Sequence, residues 1–537
     1  MQLYVKSDRE WLYPDEAELG SAVYVGEALP LYTAAGSPSG IQLLAADVEG
    51  AVSVTDLTGG PVTEINLLRD VQVNYNTAEE MQGFGKNPFV YMERRAEVPK
   101  HCTRLAPFRV YDPYKPYEGE LPQDGKIAFY LCFAVGFDTP AGVYRKRLAI
   151  CAGGQEQQVT VDLHVYDAGL SREPRFNVTN WFSVDEMATR HGLELFSPAH
   201  FAMIEQYADA MLRMRQTHFL LPPETVGIIK KDGEIHFDFS LLEKLAELFF
   251  RKGFKGMEFG PVGMRKKVYH EELHVLQLEN IPVDSDTGRQ LLHRFFSGLA
   301  EMADRHNWKD KILFHIADEP DEPESAVPRR LVQYRMIVEI MHRYFPEALV
   351  CEAVKTTKFE EFIDILVPLS KTYEEFSQEF DQVKQGSNQV WFYICCVPTG
   401  DYFQRFLDVP LLGTRYVFWA GAKYGLTGYL HWGLNRLEPD QDPFEQTNQY
   451  HAYGDSVCLP AGDSHIFYAD RSGLYLSMRA EACRKGAEDA DLLMCLREKD
   501  LGLYQELIGK VPGFHGKVND GEFMENYLRL LQKLSDK

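Results

Sequence analysis

Two adjacent carboxylates, Asp318 and Glu319, follow an apolar stretch at residues 311–317 and precede Pro320. The stretch is typical of a short buried strand, and Pro320 cannot donate a ladder hydrogen bond, so we predict that the strand ends at the acids. Helical spacing of apolar residues follows at 331–341,. Strand, acids and helix form one βα unit, and (β/α)8 barrels carry catalytic groups at this junction. A merely solvated acidic loop would give the same short motif.

Paired carboxyl groups are typical of glycoside hydrolysis, where one acts as acid and the other as nucleophile or base. Side chains of adjacent residues diverge, so Asp318 and Glu319 cannot flank a scissile bond symmetrically. They can instead divide the work: one protonates the leaving oxygen and the other orients a 2-acetamido nucleophile of the substrate. A second possibility is Glu319 as acid/base with a separate nucleophile, Glu258 or Glu352, at other predicted strand ends. A third is a non-catalytic carbohydrate-binding protein.

Aromatic and amide side chains occur near the other predicted strand ends. Aromatic rings stack on the C–H face of a sugar, and polar groups bind its hydroxyls. The candidate substrate-binding residues are Asn180, Trp181, His315, Trp391, Tyr393, Trp432 and Asn435. We therefore expect a carbohydrate substrate, a glycan or glycoside with a terminal amino sugar.

Strand and helix patterns alternate through the central part of the chain, which predicts a parallel sheet closed into a (β/α)8 barrel. The predicted strands are residues 176–183, 218–221, 256–259, 311–317, 349–354, 363–368, 389–395 and 428–432. The connection between the fifth and sixth strands is short. We predict three regions: a β-sandwich at 1–168, the catalytic barrel at 175–465, and a hairpin with helices packed on the barrel at 466–537.

The clearest strand of the predicted sandwich is at residues 158–166, where Val, Val, Leu and Val alternate with polar residues,. Residues 127–135 and 142–150 are its predicted partners. Near the carboxyl end, residues 466–476 resemble a hairpin, and helices are predicted at 477–499 and 519–534.

Composition excludes several classes of function. Acidic residues outnumber basic ones, 79 to 56, for a net charge of −23, which disfavours nucleic acid and anionic membranes as partners. No apolar run is long enough for a membrane span, and the first residues lack signal-peptide features, so we expect a cytoplasmic protein. Nine scattered cysteines include no CxxC pair, and there is no nucleotide-binding loop or zinc spacing. We expect no metal and no cofactor, and the sequence indicates no oligomeric state.

Several stretches, taken together, resemble glycoside hydrolase family 123 and the related DUF4091 proteins. They are residues 139–144, 315–320, 391–395, 425–435 and 477–489. The resemblance implies an N-terminal β-sandwich, a (β/α)8 catalytic domain and retaining β-N-acetylgalactosaminidase activity by substrate-assisted catalysis. It implies that Asp318 holds the acetamido group, that Glu319 is the general acid/base, and that Tyr393 binds the acetamide oxygen. The adjacent Cys395 and Cys396, and Arg436, depart from the family pattern.

Overall fold

A computed structural model describes the protein over residues 1–79, 90–92, 94–265, 271–450 and 457–536. Its strands are β1 (Gln2–Ser7), β2 (Leu29–Ala34), β3 (Ser39–Ala46), β4 (Val52–Asp56), β5 (Thr63–Val73), β6 (Val90–Tyr91), β7 (Phe108–Pro116), β8 (Lys126–Phe133), β9 (Gly142–Ala152), β10 (Gln155–Tyr166), β11 (Asn177–Asn180), β12 (His218–Leu221), β13 (Gly227–Lys231), β14 (Glu234–Asp238), β15 (Gly256–Phe259), β16 (Gly263–Met264), β17 (His274–Val275), β18 (Leu278–Pro282), β19 (Ile312–Phe314), β20 (Leu349–Val354), β21 (Ile365–Pro368), β22 (Gln389–Val390), β23 (Phe392–Tyr393), β24 (Gly428–His431), β25 (Val457–Cys458), β26 (Tyr468–Asp470) and β27 (Gly473–Ser477).

The helices follow the same chain order. They are α1 (Val184–His191), α2 (Pro198–Arg213), α3 (Ser240–Lys252), α4 (Asp286–His306), α5 (Val327–His342), α6 (Ser370–Glu375), α7 (Ser377–Lys384), α8 (Leu411–Lys423), α9 (Met478–Lys499), α10 (Leu501–Gly509) and α11 (Asp520–Ser535). Within the described ranges no helix is both long and apolar enough to cross a membrane.

Two sheets at the amino-terminal end share one apolar core. The larger has the order β1-β3-β8-β5-β7-β27-β26 and the smaller β2-β10-β9-β4. The alternating face predicted for β10 is buried: Val159, Val161 and Leu163 are 0% exposed and pack in that shared core. Burying each such side chain contributes about 1.5–3 kcal/mol, which makes this face the main reason that β10 holds its register.

One of the two predicted partners of β10 is wrong. β9 pairs with β10 antiparallel, as predicted, but the other neighbour is the parallel strand β2. The segment predicted at 127–135 forms β8, which lies in the opposite sheet between β3 and β5. Seven of the eight residues of β8 are buried. A strand covered on both faces shows no alternation, so its sequence does not reveal which sheet it joins.

The central part of the chain contains parallel strands at all eight predicted positions. The predicted strand at 389–395 is divided into β22 and β23, so the eight positions hold nine short strands. They form a six-stranded sheet, β12-β15-β19-β20-β21-β22, and a three-stranded sheet, β11-β24-β23. Backbone bonds cross both seams between these sheets, from Thr217 N to Val178 O (2.9 Å) and from Trp391 N to Leu366 O (3.0 Å). No helix separates β20 from β21, in keeping with their short connection. The closed eight-stranded barrel stays a prediction.

The carboxyl-terminal hairpin forms where it was predicted, but it does not pack only on the central part. β27 pairs with β7 through Leu476↔Tyr114 and Ser477↔Pro113, so the hairpin extends the larger amino-terminal sheet. Alternation and a turn identify a hairpin locally. They do not identify a pairing partner that lies several hundred residues earlier in the chain.

Helix α9 joins the regions of the molecule, and its residues 478–493 are all buried. Arg479, at its first turn, is 0% exposed; its Nε lies 2.9 Å from Asp112 Oδ2 on β7. Farther along, Asp489 accepts hydrogen bonds from Arg415 Nε and Nη2 on α8 (2.7 and 2.8 Å). Asp491 accepts from the backbone amide of Phe176 (2.6 Å), just before β11. Paired buried charges of this kind are costly to separate.

We predict that Asp112→Asn lowers the free energy of unfolding by about 3–5 kcal/mol, because it leaves the Arg479 guanidinium buried without its counter-charge. The matched control is Asp520→Asn, which removes an ion pair with Arg9 (2.6 Å) whose carboxylate is 48% exposed. That change should cost less than about 1 kcal/mol. Urea denaturation followed by circular dichroism measures both. Similar small losses in the two variants would contradict a stabilising role for the buried pair.

Candidate active site

Asp318 and Glu319 lie in the loop after β19, at the carboxyl-terminal edge of the parallel strands. The strand ends at Phe314, four residues before Asp318, which is earlier than Pro320 predicted. The physical reason is that the backbone amides of Ile316 and Ala317 donate to the Glu352 carboxylate (2.8 and 3.0 Å) and not to a neighbouring strand. The acids are therefore carried on irregular backbone that a side chain from β20 holds in place.

Glu319 has an unusual backbone conformation, with φ at +45°. A residue with a Cβ rarely occupies this left-handed region, and such conformations persist only where the surroundings enforce them. Here Arg330 donates to the carbonyl of Pro320 (3.2 Å) and also to that of Glu322. Asp321 accepts hydrogen bonds from the backbone amides of residues 355 and 356 (2.8 and 2.7 Å). These contacts tie the acid loop to the loop after β20.

The two acids differ in environment. Asp318 is 41% exposed and lies 3.7 Å from Arg265 Nη2. Glu319 is less open, and its Oε1 accepts a hydrogen bond from the Tyr393 hydroxyl on β23 (3.2 Å). Burial, reinforced by the charge of Asp318, raises the pKa of Glu319 to about 7. The positive charges of Lys355 and Arg265 act in the opposite direction but do not restore the ordinary value. A pKa near neutral suits a group that must both give and take up a proton.

Glu258 and Glu352, the alternative nucleophiles, are both 0% exposed. Each faces the His315 ring: Glu258 Oε2 lies 2.9 Å from Nε2, and Glu352 Oε1 lies 3.4 Å from Nδ1. Glu352 Oε2 accepts a hydrogen bond from the Tyr334 hydroxyl (3.0 Å). It also accepts those from the backbone amides that lead into the acid loop. His315 itself is 2% exposed. Both ring nitrogens of His315 therefore contact carboxylates, and its contact with substrate stays a prediction.

The three tryptophans at strand ends differ in accessibility. Trp181 and Trp432 are partly exposed and pack against the same interior cluster, which also contains Tyr393. Trp391 is 1% exposed, so its ring is enclosed in this structure and its role in sugar binding stays a prediction. Its ring lies against Gly428, where an added Cβ would overlap it. Trp391 precedes Tyr393 by two residues on the same inward face and therefore lies one layer deeper.

Both predicted asparagines are structural. Asn180 is 1% exposed, and its Oδ1 accepts a hydrogen bond from Arg405 Nη1 (3.1 Å). Asn435 is 4% exposed and bonds both backbone groups of Ser183, accepting from its amide (2.9 Å) and donating to its carbonyl (3.0 Å). Neither is open to a substrate in this structure. The amides satisfy buried backbone and guanidinium groups that would otherwise be unpaired.

Sequence reasoning missed three charged residues of the site. Arg265 and Lys355 bring positive charge to the acid pair, and Lys355 directly follows β20, a position from which it could have been found. Asp463 is 0% exposed, and burial raises its pKa to about 7, although the nearby positive charge of Arg405 favours the ionised form. Its loop carries no sequence signal. Among the described residues no group of three His, Cys, Asp or Glu side chains could hold a metal ion.

Comparison with known proteins gives the family. The glycoside hydrolase 123 catalytic domain matches residues 181–496, more than half of the chain. A family 123 glycoside hydrolase from Clostridium perfringens, described for glycolipid glycan hydrolysis, has a TM-score of 0.70 and 11% identity, covering 99% of this chain and 97% of its own. That likeness shows the fold alone.

Weaker likenesses carry no argument. A GH39 enzyme from Xanthomonas axonopodis pv. citri has a TM-score of 0.39 and 12% identity, covering 60% of this chain and 67% of its own. A GH10 xylanase from termite gut has a TM-score of 0.36 and 11% identity, covering 69% and 91%. No curated protein matches the sequence significantly. The match over the catalytic domain confirms the predicted resemblance: the chain belongs to glycoside hydrolase family 123 and is a glycosidase.

Proposed function

We propose that this glycosidase is a retaining exo-β-N-acetylhexosaminidase that prefers β-N-acetylgalactosaminides and works by substrate-assisted catalysis. The observation that carries the proposal is the burial of Glu258 and Glu352, both 0% exposed. With these carboxylates committed to His315, the nucleophile is best supplied by the substrate. Asp318 and Glu319 then suffice for the chemistry.

We also infer that the eight parallel strands form a (β/α)8 barrel. The backbone bonds across both seams between the sheets support this closure. In such a barrel the carboxyl ends of the strands surround one pocket. The acid pair after β19 would then face Tyr393 of β23 and Trp432 after β24 across that pocket.

Glu319 provides the proton in the first step. Its carboxyl group, with a pKa raised to about 7, protonates the glycosidic oxygen as the C1–O bond breaks. The acetamido oxygen of the substrate attacks C1, which yields a cyclic oxazolinium ion and the free aglycone alcohol. Glu319, now a carboxylate, removes a proton from water in the second step. The water oxygen attacks C1 and reopens the ring, so the anomeric configuration is retained.

Asp318 acts on the acetamido group. Positive charge develops on the acetamido nitrogen only as the ring forms, so an ionised carboxylate there stabilises the transition state more than the ground state. Tyr393 is placed beside Glu319, 3.2 Å from its Oε1. We assign its hydroxyl to the acetamide oxygen when substrate displaces that contact.

The sugar ring would lie against Trp181 and Trp432, the partly exposed tryptophans of the site. Their faces suit the C–H surface of a hexosamine. The glycolipid glycan hydrolysis described for the Clostridium perfringens enzyme is compatible with a glycan or glycoside that ends in an amino sugar. We propose that class as the substrate here.

Glu319→Gln should reduce the hydrolysis of substrates with poor leaving groups by at least about 10²–10⁴-fold, because it removes the general acid. A dinitrophenyl leaving group needs little protonation, so much of the loss in the first step should disappear with that substrate. Steady-state kinetics with matched aryl N-acetylhexosaminides measure this. An equal loss for good and poor leaving groups would contradict the acid role.

The pH dependence should follow the proton of Glu319. The protonated form is active in the first step, so kcat/KM should fall as pH rises through about 7. Lys355→Met removes a positive charge that lowers the pKa of Glu319. The falling limb of the plot of kcat/KM against pH should therefore move to higher pH. Lys358→Met is the matched control, since Lys358 pairs with the exposed Glu324 (2.8 Å), and it should leave the limb unchanged. A limb that stays in place or moves downward in Lys355→Met would count against Glu319.

Replacing the 2-acetamido group of the substrate by 2-hydroxy should abolish turnover, because it removes the nucleophile itself. A thiazoline analogue of the oxazoline should inhibit competitively. Asp318→Asn should weaken that inhibition by about 1.5–3 kcal/mol, the usual worth of a charge-assisted hydrogen bond. If the 2-hydroxy glycoside is cleaved as well as the 2-acetamido one, the enzyme uses its own nucleophile and this proposal is wrong.

A further inference from the structure

His315 lies between two carboxylates in a buried part of the site. Glu258 reaches Nε2 at 2.9 Å and Glu352 reaches Nδ1 at 3.4 Å. A neutral imidazole has one N–H group and could donate to only one of them; the imidazolium has two. Burial opposes a charge on His315, but the two carboxylates outweigh it and raise the pKa of the ring to about 10. The arrangement therefore favours a charged ring with two donated hydrogen bonds.

Each carboxylate also holds a second part of the site. Glu258 Oε2 accepts the indole N–H of Trp181 (3.0 Å). The Trp181 ring meets the His315 ring edge-on, with centroids 5.4 Å apart. Glu258 thus sets the direction of the indole that we assign to the sugar.

Glu352 holds the backbone that leads into the acid pair. Its Oε2 accepts hydrogen bonds from the backbone amides of Ile316 and Ala317 (2.8 and 3.0 Å), the two residues before Asp318. A carboxylate here replaces the carbonyls of a neighbouring strand as acceptor. Any shift of Glu352 therefore moves the start of the loop that carries Asp318 and Glu319.

We propose that His315 is a positioning residue: as an imidazolium it holds Glu258 and Glu352 apart at fixed places, and through them it sets the acid loop and the Trp181 ring. We name this set the Glu258–His315–Glu352 brace. Its kinetic consequences rest on the function proposed above, whereas its protonation state does not. Without the charge of His315, two buried carboxylates would face each other and one would have to take up a proton or move.

The first test needs no substrate. Histidine-labelled protein should give two downfield imidazole N–H signals for His315, and both should persist from pH 6 to pH 9. His315→Gln should remove them. The control His306→Gln should not, since His306 contacts one carboxylate, Glu243 (2.6 Å), and is 28% exposed. The other titratable groups nearest the brace are Asp318, which acts on Glu352, and His218, which lies near Glu258. Burial lowers the pKa of His218 to about 4, so His218 is neutral over this pH range. Loss of either His315 proton with a midpoint near 6.5 would overturn the proposal.

The second test separates positioning from a structural role. His315→Gln and Glu352→Gln should each lower kcat by about 10²-fold, the typical cost of misplacing catalytic groups by about 1 Å. KM should change little in Glu352→Gln, because Glu352 holds the acid loop and not the Trp181 ring. In His315→Gln it should also rise, because Glu258, which holds the Trp181 indole, loses its partner. In both variants the loss in kcat should be the same for good and poor leaving groups. This pattern differs from that of Glu319→Gln. A raised KM at unchanged kcat would assign His315 to substrate binding, and reduced stability with full kcat would make the brace merely structural; either result overturns the proposal.

The two tests also keep the proposed function and the proposed role of His315 distinct. If no hexosaminide is turned over, the proposed function fails, and the imidazole signals still decide the charge state of the brace. If His315→Gln does not fold, Glu258→Gln provides the assignment, because its loss of charge should shift the His315 signals and leave those of His306 in place. Unshifted signals in Glu258→Gln would contradict the contact on which the proposal depends.

Discussion

The carboxylate of Glu352 fixes the place where β19 ends. Backbone amides that continue a strand normally pair with a neighbouring carbonyl, but those of Ile316 and Ala317 donate to this side chain. The amide of His315 still donates to the Phe259 carbonyl on β15 (2.9 Å), and the chain leaves the sheet after it. Glu319 then adopts a left-handed conformation. Glu352 thus fixes the start of the acid loop, and the contacts of Arg330 and Asp321 fix its far side.

Burial separates the acidic residues of the site into two groups. Glu258 and Glu352 are fully enclosed, and the charge of His315 compensates them. Asp318 is accessible, and Glu319 lies beside it with a raised pKa because burial and a neighbouring negative charge both disfavour its ionised form,. The four carboxyl groups thus lie in different environments, and the difference comes from solvent exposure and from the sign of the nearest charge,.

The same principle holds the regions of the molecule together. Helix α9 carries buried charges whose partners lie in other elements: Asp112 on β7 for Arg479, and Arg415 on α8 for Asp489. Glu481 faces Arg484 and Arg213, and these charges lower its pKa despite complete burial. Because each buried charge needs its partner, the helix has one favourable placement against β7 and α8. The strands that carry the site are packed against that fixed frame.

The sequence by itself determined the features that depend on local patterns. Hydrophobic alternation and run length place parallel strands at all eight predicted positions, the hairpin β26–β27 and the helices α9 and α11, because periodicity is a property of neighbouring residues,. The acid pair followed from its place after an apolar run, and five motifs in order identified the family. The tryptophans, in contrast, look alike in the sequence, since each stands near a strand end.

Only the tertiary structure decided which of those side chains reach the pocket. Trp391 is enclosed because Gly428 on β24 lets its ring lie against the backbone, while Trp181 stays partly open because Glu258 holds its indole N–H. His315 became part of a brace, and the terminal hairpin joined β7, through partners on other strands. Exposure and charge pairing are set by residues far apart in the chain, and no local period encodes them.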